Sequence, residues 1–426
     1  MDSPPTATSL YVHVPFCAQK CEYCAFYSTT ADGELVNRYV DALTLEVGRL
    51  VTKGYSRPQT VFFGGGTPSL LNLRQWERVF AAFDRAGWLG AAEWTIECNP
   101  ATVSVEKARV LRAHGVNRVS MGVQSVDDEL LDRLGRVHSR DMVFRSFDAL
   151  RGAGFNSINM DLMFGIPGQS MDTWRNTLRE ILALGSEHLS CYEVIYEEDT
   201  PLFEKLKAGR FEVDDDLSSE MFEALVDAAA TAGYTQYEVA NFGRWSRAGT
   251  SGASTADTGP GTGLEIPPGV PTFACRHNVN YWQGGDYVAL GPSASGFEKG
   301  VRYRNVASTQ AYCEAVEKEQ SPRDWSESLS ALARAGEIAA FGLRMNVGWR
   351  WKDFFRATGF DLRDQWESEM LALVAKGWAT LDADGFRLTR QGLRFADDAG
   401  SEFLRPEAPL YTANPSSYVA ASWQSR

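Results

Sequence analysis

Short runs of β-branched and aromatic residues alternate with longer stretches whose apolar positions recur every three or four residues. The short runs, read as strands, are Ser9–Val14, Thr60–Phe63, Glu93–Glu97, Asn117–Met121, Ser157–Met163, Leu189–Ile195 and Gln236–Asn241. Between them lie helical patterns at Glu34–Lys53, Arg74–Ala86, Val105–His114, Asp141–Gly152, Asp172–Leu184 and Leu217–Ala232. In the first of these, Leu35, Tyr39, Leu43, Val47 and Leu50 share one face. Repeated β-α-β units with such apolar strands predict an α/β fold with a parallel sheet covered by helices. Their number fits a partial (β/α) barrel, and a doubly wound sheet is the rival arrangement.

The pattern breaks at residues 247–272, RAGTSGASTADTGPGTGLEIPPGVPT, a Gly-, Ser-, Thr- and Pro-rich segment expected to be a mobile surface loop. Structure is expected to resume at Phe273, with a strand at Tyr287–Leu290. After Ser321 the alternation ends. Helical patterns at Ser326–Asn346 and Leu362–Lys376 precede WATLDADGFRLT, which reads as a hairpin, and Gly392–Asp398 reads as the start of another helix. Helices followed by a hairpin predict a small α+β, winged-helix-like domain. The expected division is thus a barrel core (1–246), the low-complexity loop (247–272), a barrel extension (273–320), the C-terminal domain (321–405) and a tail (406–426).

Composition narrows the function classes. The 426 residues are 44% hydrophobic, enough for one large core and a smaller one. A net charge of −13 gives no long-range attraction for phosphate backbones, so nucleic acid is not an expected partner, and the winged shape is expected to pack or to act as a lid. No run approaches the roughly 18 apolar residues of a membrane span. The first residues lack the basic start and apolar core of a signal peptide, so a cytoplasmic protein without stable membrane insertion is expected. Seven cysteines, three of them within eight residues, favour a metal site over disulfides in a reducing compartment.

Those three are Cys17, Cys21 and Cys24, spaced C-x3-C-x2-C in HVPFCAQKCEYCAF, directly after the first strand. Thiolates suit zinc or iron–sulfur. A closed zinc site takes four ligands, commonly as two close pairs, whereas Cys98, Cys191, Cys275 and Cys313 are isolated. Three ligands on a four-iron cubane leave one iron free to chelate a small molecule. A second motif, FFGGGTPS at 62–69, follows the next strand. Glycines there let the backbone approach a ligand closely.

C-x3-C-x2-C with the aromatic Tyr23 before the third cysteine, followed in order by the glycine run, resembles the signature of the radical S-adenosylmethionine (SAM) superfamily, over about Leu10 to Leu404. The resemblance implies a [4Fe–4S] cluster on Cys17, Cys21 and Cys24, with SAM on the free iron. Reduction by an electron donor such as flavodoxin or ferredoxin then cleaves SAM to a 5′-deoxyadenosyl radical. It further implies SAM contacts from Tyr11, Tyr23, Gly64, Gly65, Thr67, Glu97, Gln124, Arg136 and Asp161. Taken without it, a polar residue ending a strand as readily caps the next helix.

Two branches share this framework: the oxygen-independent coproporphyrinogen III oxidases and the HemW-type haem chaperones. The sequence resembles the second. The oxidase carries another cysteine two positions after its third cluster cysteine, where Phe26 stands here, and a long N-terminal arm, where 16 residues precede Cys17. Residues 277–282 read HNVNYW, matching the H-N-x-x-Y-W pattern of HemW-type proteins. The resemblance implies haem binding at His277 near the barrel's C-terminal strand ends, with Cys275 a weaker candidate, and delivery of haem to acceptor apoproteins by a monomer or dimer. Relatives often carry a histidine where Ser295 stands. No catalytic residue is assigned. SAM cleavage stays open, and the alternative reading is an oxidase-like radical enzyme acting on a porphyrin.

Overall fold

The computed structural model describes residues 9–246, 264 and 266–405. Seven parallel strands form the centre of its principal sheet. They are β1 (Ser9–Val14), β2 (Thr60–Gly65), β3 (Glu93–Cys98), β4 (Arg118–Gln124), β5 (Ile158–Phe164), β6 (His188–Glu193) and β7 (Tyr287–Leu290). Their order is β7-β1-β2-β3-β4-β5-β6, so each of β1 to β6 lies beside its sequence neighbour and β7 returns to flank β1. Antiparallel strands extend both edges: Ser295–Glu298, Val301–Asn305 and Arg323–Ser328 beyond β7, and Asn241–Gly243 and Thr235–Gln236 beyond β6. Among the described residues the two edges do not pair with each other, which makes this a partial barrel.

Two expectations are corrected. Gln236–Asn241 is not a seventh β/α strand; the Glu238 carboxylate accepts the Ala240 N–H at 2.9 Å and turns the chain back, so Asn241–Gly243 pairs antiparallel with β6. Arg323–Ser328 is an edge strand, and the helix expected from Ser326 runs over Ala331–Gly342, capped by Ser330. The 406–426 tail and most of 247–272 lie outside the described residues.

The parallel strands alternate between two unlike faces. Val61, Phe63, Trp94, Ile96, Val119, Met121, Ile158, Met160 and Leu162 point outward beneath the helices and are 0% exposed. The inward set is polar yet buried: Ser9, Thr60, Glu93, Thr95, Arg118, Ser120, Asn159, His188 and Ser190. Register aligns Ser9 with Thr60 and Thr60 with Glu93, and Ser120 with Asn159 and Asn159 with His188, so these side chains share one concave face.

The C-terminal residues gather around a separate apolar cluster containing Trp349, Phe354, Trp366, Met370, Phe386 and Phe403, beside a three-stranded sheet of Trp349–Arg350, Ala379–Leu381 and Gly385–Leu388. Trp366 is wholly buried and donates from Nε1 to the Phe403 carbonyl at 2.9 Å. Trp366→Ala should therefore destabilise this unit by about 3–5 kcal/mol in denaturant unfolding, while the cysteine loop of the barrel keeps its capacity to bind iron.

Candidate cofactor site

The chain leaves β1 at Val14 and enters the cysteine loop, where Phe16–Cys17 pairs with Thr29–Thr30. Within the loop the Cys24 N–H donates to the Cys21 carbonyl (3.3 Å) and the Glu22 N–H to the Leu134 carbonyl (3.0 Å). The three thiols are half-buried and free. Cys17 Sγ accepts from the Thr67 hydroxyl at 3.6 Å, and Cys21 Sγ faces Arg136 Nη1 at 3.5 Å. Among the described residues no three His, Cys, Asp or Glu side chains converge on a single-ion position. Thiolates that each bind a different iron of one cluster need no such convergence.

The glycine run holds this loop in place. Gly66 N–H donates to the Val14 carbonyl (2.8 Å) and Thr67 N–H to the Phe16 carbonyl (2.7 Å). A Cβ on Gly66 would stand 2.7 Å from the Phe16 carbonyl oxygen. Gly65 has φ +102° and donates its N–H to Glu97 Oε2 at 3.1 Å. The N–H groups of Gly65, Gly66 and Thr67 are thus committed to the protein, and the glycines act first as a clamp.

Glu97, Gln124, Arg136 and Asp161 come together at the C-terminal ends of β3, β4 and β5. Burial pushes the Glu97 carboxyl up to about 8, the charge of Asp161 adds to this, and the Gly65 N–H opposes it. Asp161 is also raised by burial, against hydrogen bonds from Ser120 (3.0 Å) and Asn159 (2.7 Å). Gln124 follows a bulge in β4 and has φ +64°, a conformation a non-glycine residue adopts at a cost. Arg136 Nη2 donates to the Gly122 carbonyl (2.6 Å), while its buried Nε has no partner. Tyr23, in the loop, lies close enough to the Arg136 charge for the two to interact, and Tyr11 donates to or accepts from His13 Nδ1 at 3.1 Å. An orphaned guanidinium N–H, two buried carboxylates and three thiols beside them fit a ligand that carries both cationic and carboxylate groups next to an iron–sulfur cluster.

His277 lies elsewhere, and its expected position at the C-terminal strand ends is corrected. It belongs to a short helix, Arg276–Trp282, that closes the opposite end of the barrel against the first residues of β2 and β3. It is 1% exposed and stacks on Phe62. Its Nδ1 contacts the Thr60 hydroxyl at 2.8 Å and its Nε2 the Tyr281 hydroxyl at 2.7 Å, and burial lowers its pKa to about 3. Thr60 donates its own proton to Ser9, so Nδ1 carries the hydrogen and Nε2 accepts from Tyr281. Cys275 is buried as well, with its thiol on Glu93 at 3.6 Å. Ser295 stands on the first edge strand beyond β7. Tyr237, His188, Asn159 and Ser120, which the sequence did not single out, line the interior between this helix and Asp161. Their only signal was a polar residue at alternate positions of apolar strands.

A cysteine triplet in the loop after the first strand of a parallel partial barrel, clamped by glycines beside a ring of polar strand ends, defines a radical SAM protein. The family model for the radical SAM superfamily matches residues 11–181, and membership implies SAM and a [4Fe–4S] cluster. The Heme chaperone HemW of Escherichia coli (strain K12) is 32% identical over 93% of this chain and 98% of its own. The Bacillus subtilis (strain 168) protein of the same name is 30% identical over 93% and 99%. The mouse mitochondrial radical S-adenosyl methionine domain-containing protein 1 is 31% identical over 98% and 92%. The solved coproporphyrinogen III oxidase (HemN) of E. coli shares the fold, with a TM-score of 0.75 at 20% identity over 94% of this chain and 90% of that one. The chain belongs to the HemW family.

Two measurements check the site. Gly66→Ala forces a methyl against backbone carbonyls and should cost about 1–3 kcal/mol, with iron and sulfide content falling well below wild type after anaerobic reconstitution. For Glu97, the folded carboxyl holds its proton to about 8 while the unfolded one loses it near 4.5, so the stability of the ligand-free protein should fall as pH rises through that window. Glu97→Gln should show a shallower fall between those limits in pH-dependent unfolding.

Proposed function

We propose that this protein is a haem chaperone built on a radical SAM scaffold. The three cysteines hold the cluster, and Glu97, Gln124, Arg136 and Asp161, with Tyr11, Tyr23, Gly64, Gly65 and Thr67 around them, receive SAM. When bound, the cluster supplies an electron and SAM an adenosyl radical source. Arg136 orients a carboxylate through its free Nε, and Glu97 and Asp161 hold cationic or hydroxyl groups. Haem is received at the same end of the barrel and passed to an acceptor apoprotein.

The observation that carries the haem reading is the apolar rim of the cluster mouth. Phe26 on the cysteine loop is 69% exposed, Val137 beside Arg136 is 40%, and Tyr192 and Ile195 at the end of β6 are 43% and 67%. The segment after β6 packs on the loop: Leu202 N–H donates to the Glu22 carbonyl at 2.9 Å, and Tyr23 sits against the cluster of Val194 and Leu202. Large exposed apolar side chains on segments that surround the cysteine loop offer surface for a flat apolar macrocycle. Relatives named haem chaperones, matched along almost their whole length, support the same reading. Phe26 in place of a cysteine argues against the oxidase branch. His277 reaches iron only in a state where the Tyr281 hydroxyl has released Nε2.

Haem titration of the cluster-loaded protein, followed by transfer to an apoprotein, tests this. Phe26→Ser combined with Ile195→Ser should weaken haem binding at least about tenfold, from the loss of two apolar contacts, at unchanged cluster content. Equal haem affinity in that variant, with loss in His277→Ala instead, would move the haem to the opposite end. Protoporphyrinogen formed from coproporphyrinogen III over multiple turnovers would overturn the chaperone reading altogether.

A further inference from the structure

We infer that Tyr237, His188 and Asn159 are positioning residues for Asp161, forming a directed hydrogen-bond line that ties the seating of the Arg276–Trp282 helix to the SAM-facing carboxylate. The inference rests on the proposed contact between Asp161 and SAM.

The direction of every bond in the line is fixed by the one before it. Asn159 Nδ2 lies 2.7 Å from Ser120 Oγ and 2.7 Å from Asp161 Oδ1, so both of its amide hydrogens are in use. Its Oδ1 is therefore the atom that faces His188 Nδ1 at 2.6 Å, and Nδ1 carries the hydrogen. The ring is neutral: His188 is 0% exposed, and burial holds its pKa well below the ordinary value, with Arg118 pushing the same way. A neutral ring with hydrogen on Nδ1 accepts at Nε2, so the Tyr237 hydroxyl donates to it at 2.8 Å. The Tyr237 oxygen in turn accepts the Cys275 N–H at 3.1 Å. At the far end, Ser120 donates to Asp161 Oδ2 at 3.0 Å, so both carboxylate oxygens are held.

The near end is anchored on two sides. Glu93 accepts the N–H groups of Arg276 (2.9 Å) and His277 (3.0 Å), which fixes the start of the helix under β3. The Tyr237 carbonyl accepts the Asn346 N–H at 2.9 Å, from the chain just after the Ala331–Gly342 helix. Moving the helix or its C-terminal support withdraws the Cys275 N–H from Tyr237. The hydroxyl is then free to turn, the imidazole to change tautomer and the Asn159 amide to flip, and Asp161 loses a donor. A line in which every donor and acceptor is committed has one arrangement, which makes it suited to holding a carboxylate at a set angle.

The test compares SAM affinity of the cluster-loaded full chain across four variants. Cluster content, far-UV spectrum and thermal midpoint without SAM are recorded alongside. Tyr237→Phe and His188→Leu break the line and should each raise the SAM Kd by about 3- to 10-fold, the effect of losing one hydrogen bond. They should also diminish the change that SAM produces in the reduced cluster's electron paramagnetic resonance spectrum. His188→Gln can donate to Asn159 and accept from Tyr237, and should restore near wild-type affinity. A purely structural role would lower the thermal midpoint without changing SAM affinity in the folded protein. Asp161→Asn is the reference. If it weakens SAM while Tyr237→Phe and His188→Leu do not, the positioning line is overturned and the SAM site stands. If Asp161→Asn leaves SAM affinity unchanged, both fall. Should Tyr237→Phe fail to fold, His188→Gln against His188→Leu decides.

Discussion

Polar side chains on the inner face of the sheet are shut away from water, so most are satisfied by another group of the protein, the Thr95 hydroxyl and Arg118 Nε being exceptions. An unpaired one costs on the order of 1–3 kcal/mol. That requirement organises much of the barrel. Glu93, at the start of β3, accepts two backbone N–H groups of a helix 183 residues further along the chain, and Arg118 lies beside it at 4.0 Å. Thr60 donates to Ser9 and accepts from His277. The helix that closes the barrel is thereby bonded to the same face whose other end presents Glu97 and Asp161. The helices outside only have to cover an apolar surface, a weaker demand that many sequences meet.

The cysteine loop depends on a second backbone constraint. Its two strand residues, Phe16–Cys17, add only a small pairing with Thr29–Thr30, and the loop would be loose on that alone. The N–H groups of Gly66 and Thr67 fasten it to the end of β2 at a distance no side chain at position 66 would allow. On the other flank, Gly135 has φ +69° and lies against Cys21 and Glu22, where a Cβ would come within 3.2 Å of the Glu22 side chain. Glycine on both sides lets backbone from β2 and from the loop after β4 close on the cysteines. The loop that carries the thiols is held by main chain, and the Thr67 and Arg136 side chains add contacts to Cys17 and Cys21.

What the sequence disclosed follows from how far each feature reaches along the chain. Cys17, Cys21 and Cys24 lie within one loop, and their spacing alone announces the chemistry. The first six strands were legible because each is an apolar run followed by its own helix. The inner polar line was not, because Tyr237, His188 and Asn159 meet only through the register of β5 and β6 and the reversal at Glu238. The end of the barrel occupied by HNVNYW was misread for the same reason: a motif shows residue type, and here the connection from Asn241–Gly243 back to β7 determines which end it reaches. Ser326–Ser328 was read into a helix because its residues carry no strong period, and pairing with Val301–Asn305 decided the matter.

The electrostatics of the cofactor end also bear on where haem can sit. Glu97 and Asp161 are buried near each other, and the Asp161 charge makes ionisation of Glu97 harder. A ligand bearing positive charge relieves that repulsion, and SAM carries both a sulfonium and an ammonium. Haem presents two carboxylates, which would add to the repulsion and would also have to shed water to enter. On the proposed function, SAM can place its positive charge beside Glu97 and Asp161 and its carboxylate at Arg136, whereas an anionic macrocycle is better matched to the exposed side chains of Phe26, Val137, Tyr192 and Ile195. On that proposal the two ligands occupy one mouth without competing, because charge separates them: the cationic one beside the two carboxylates, the flat one across the edge.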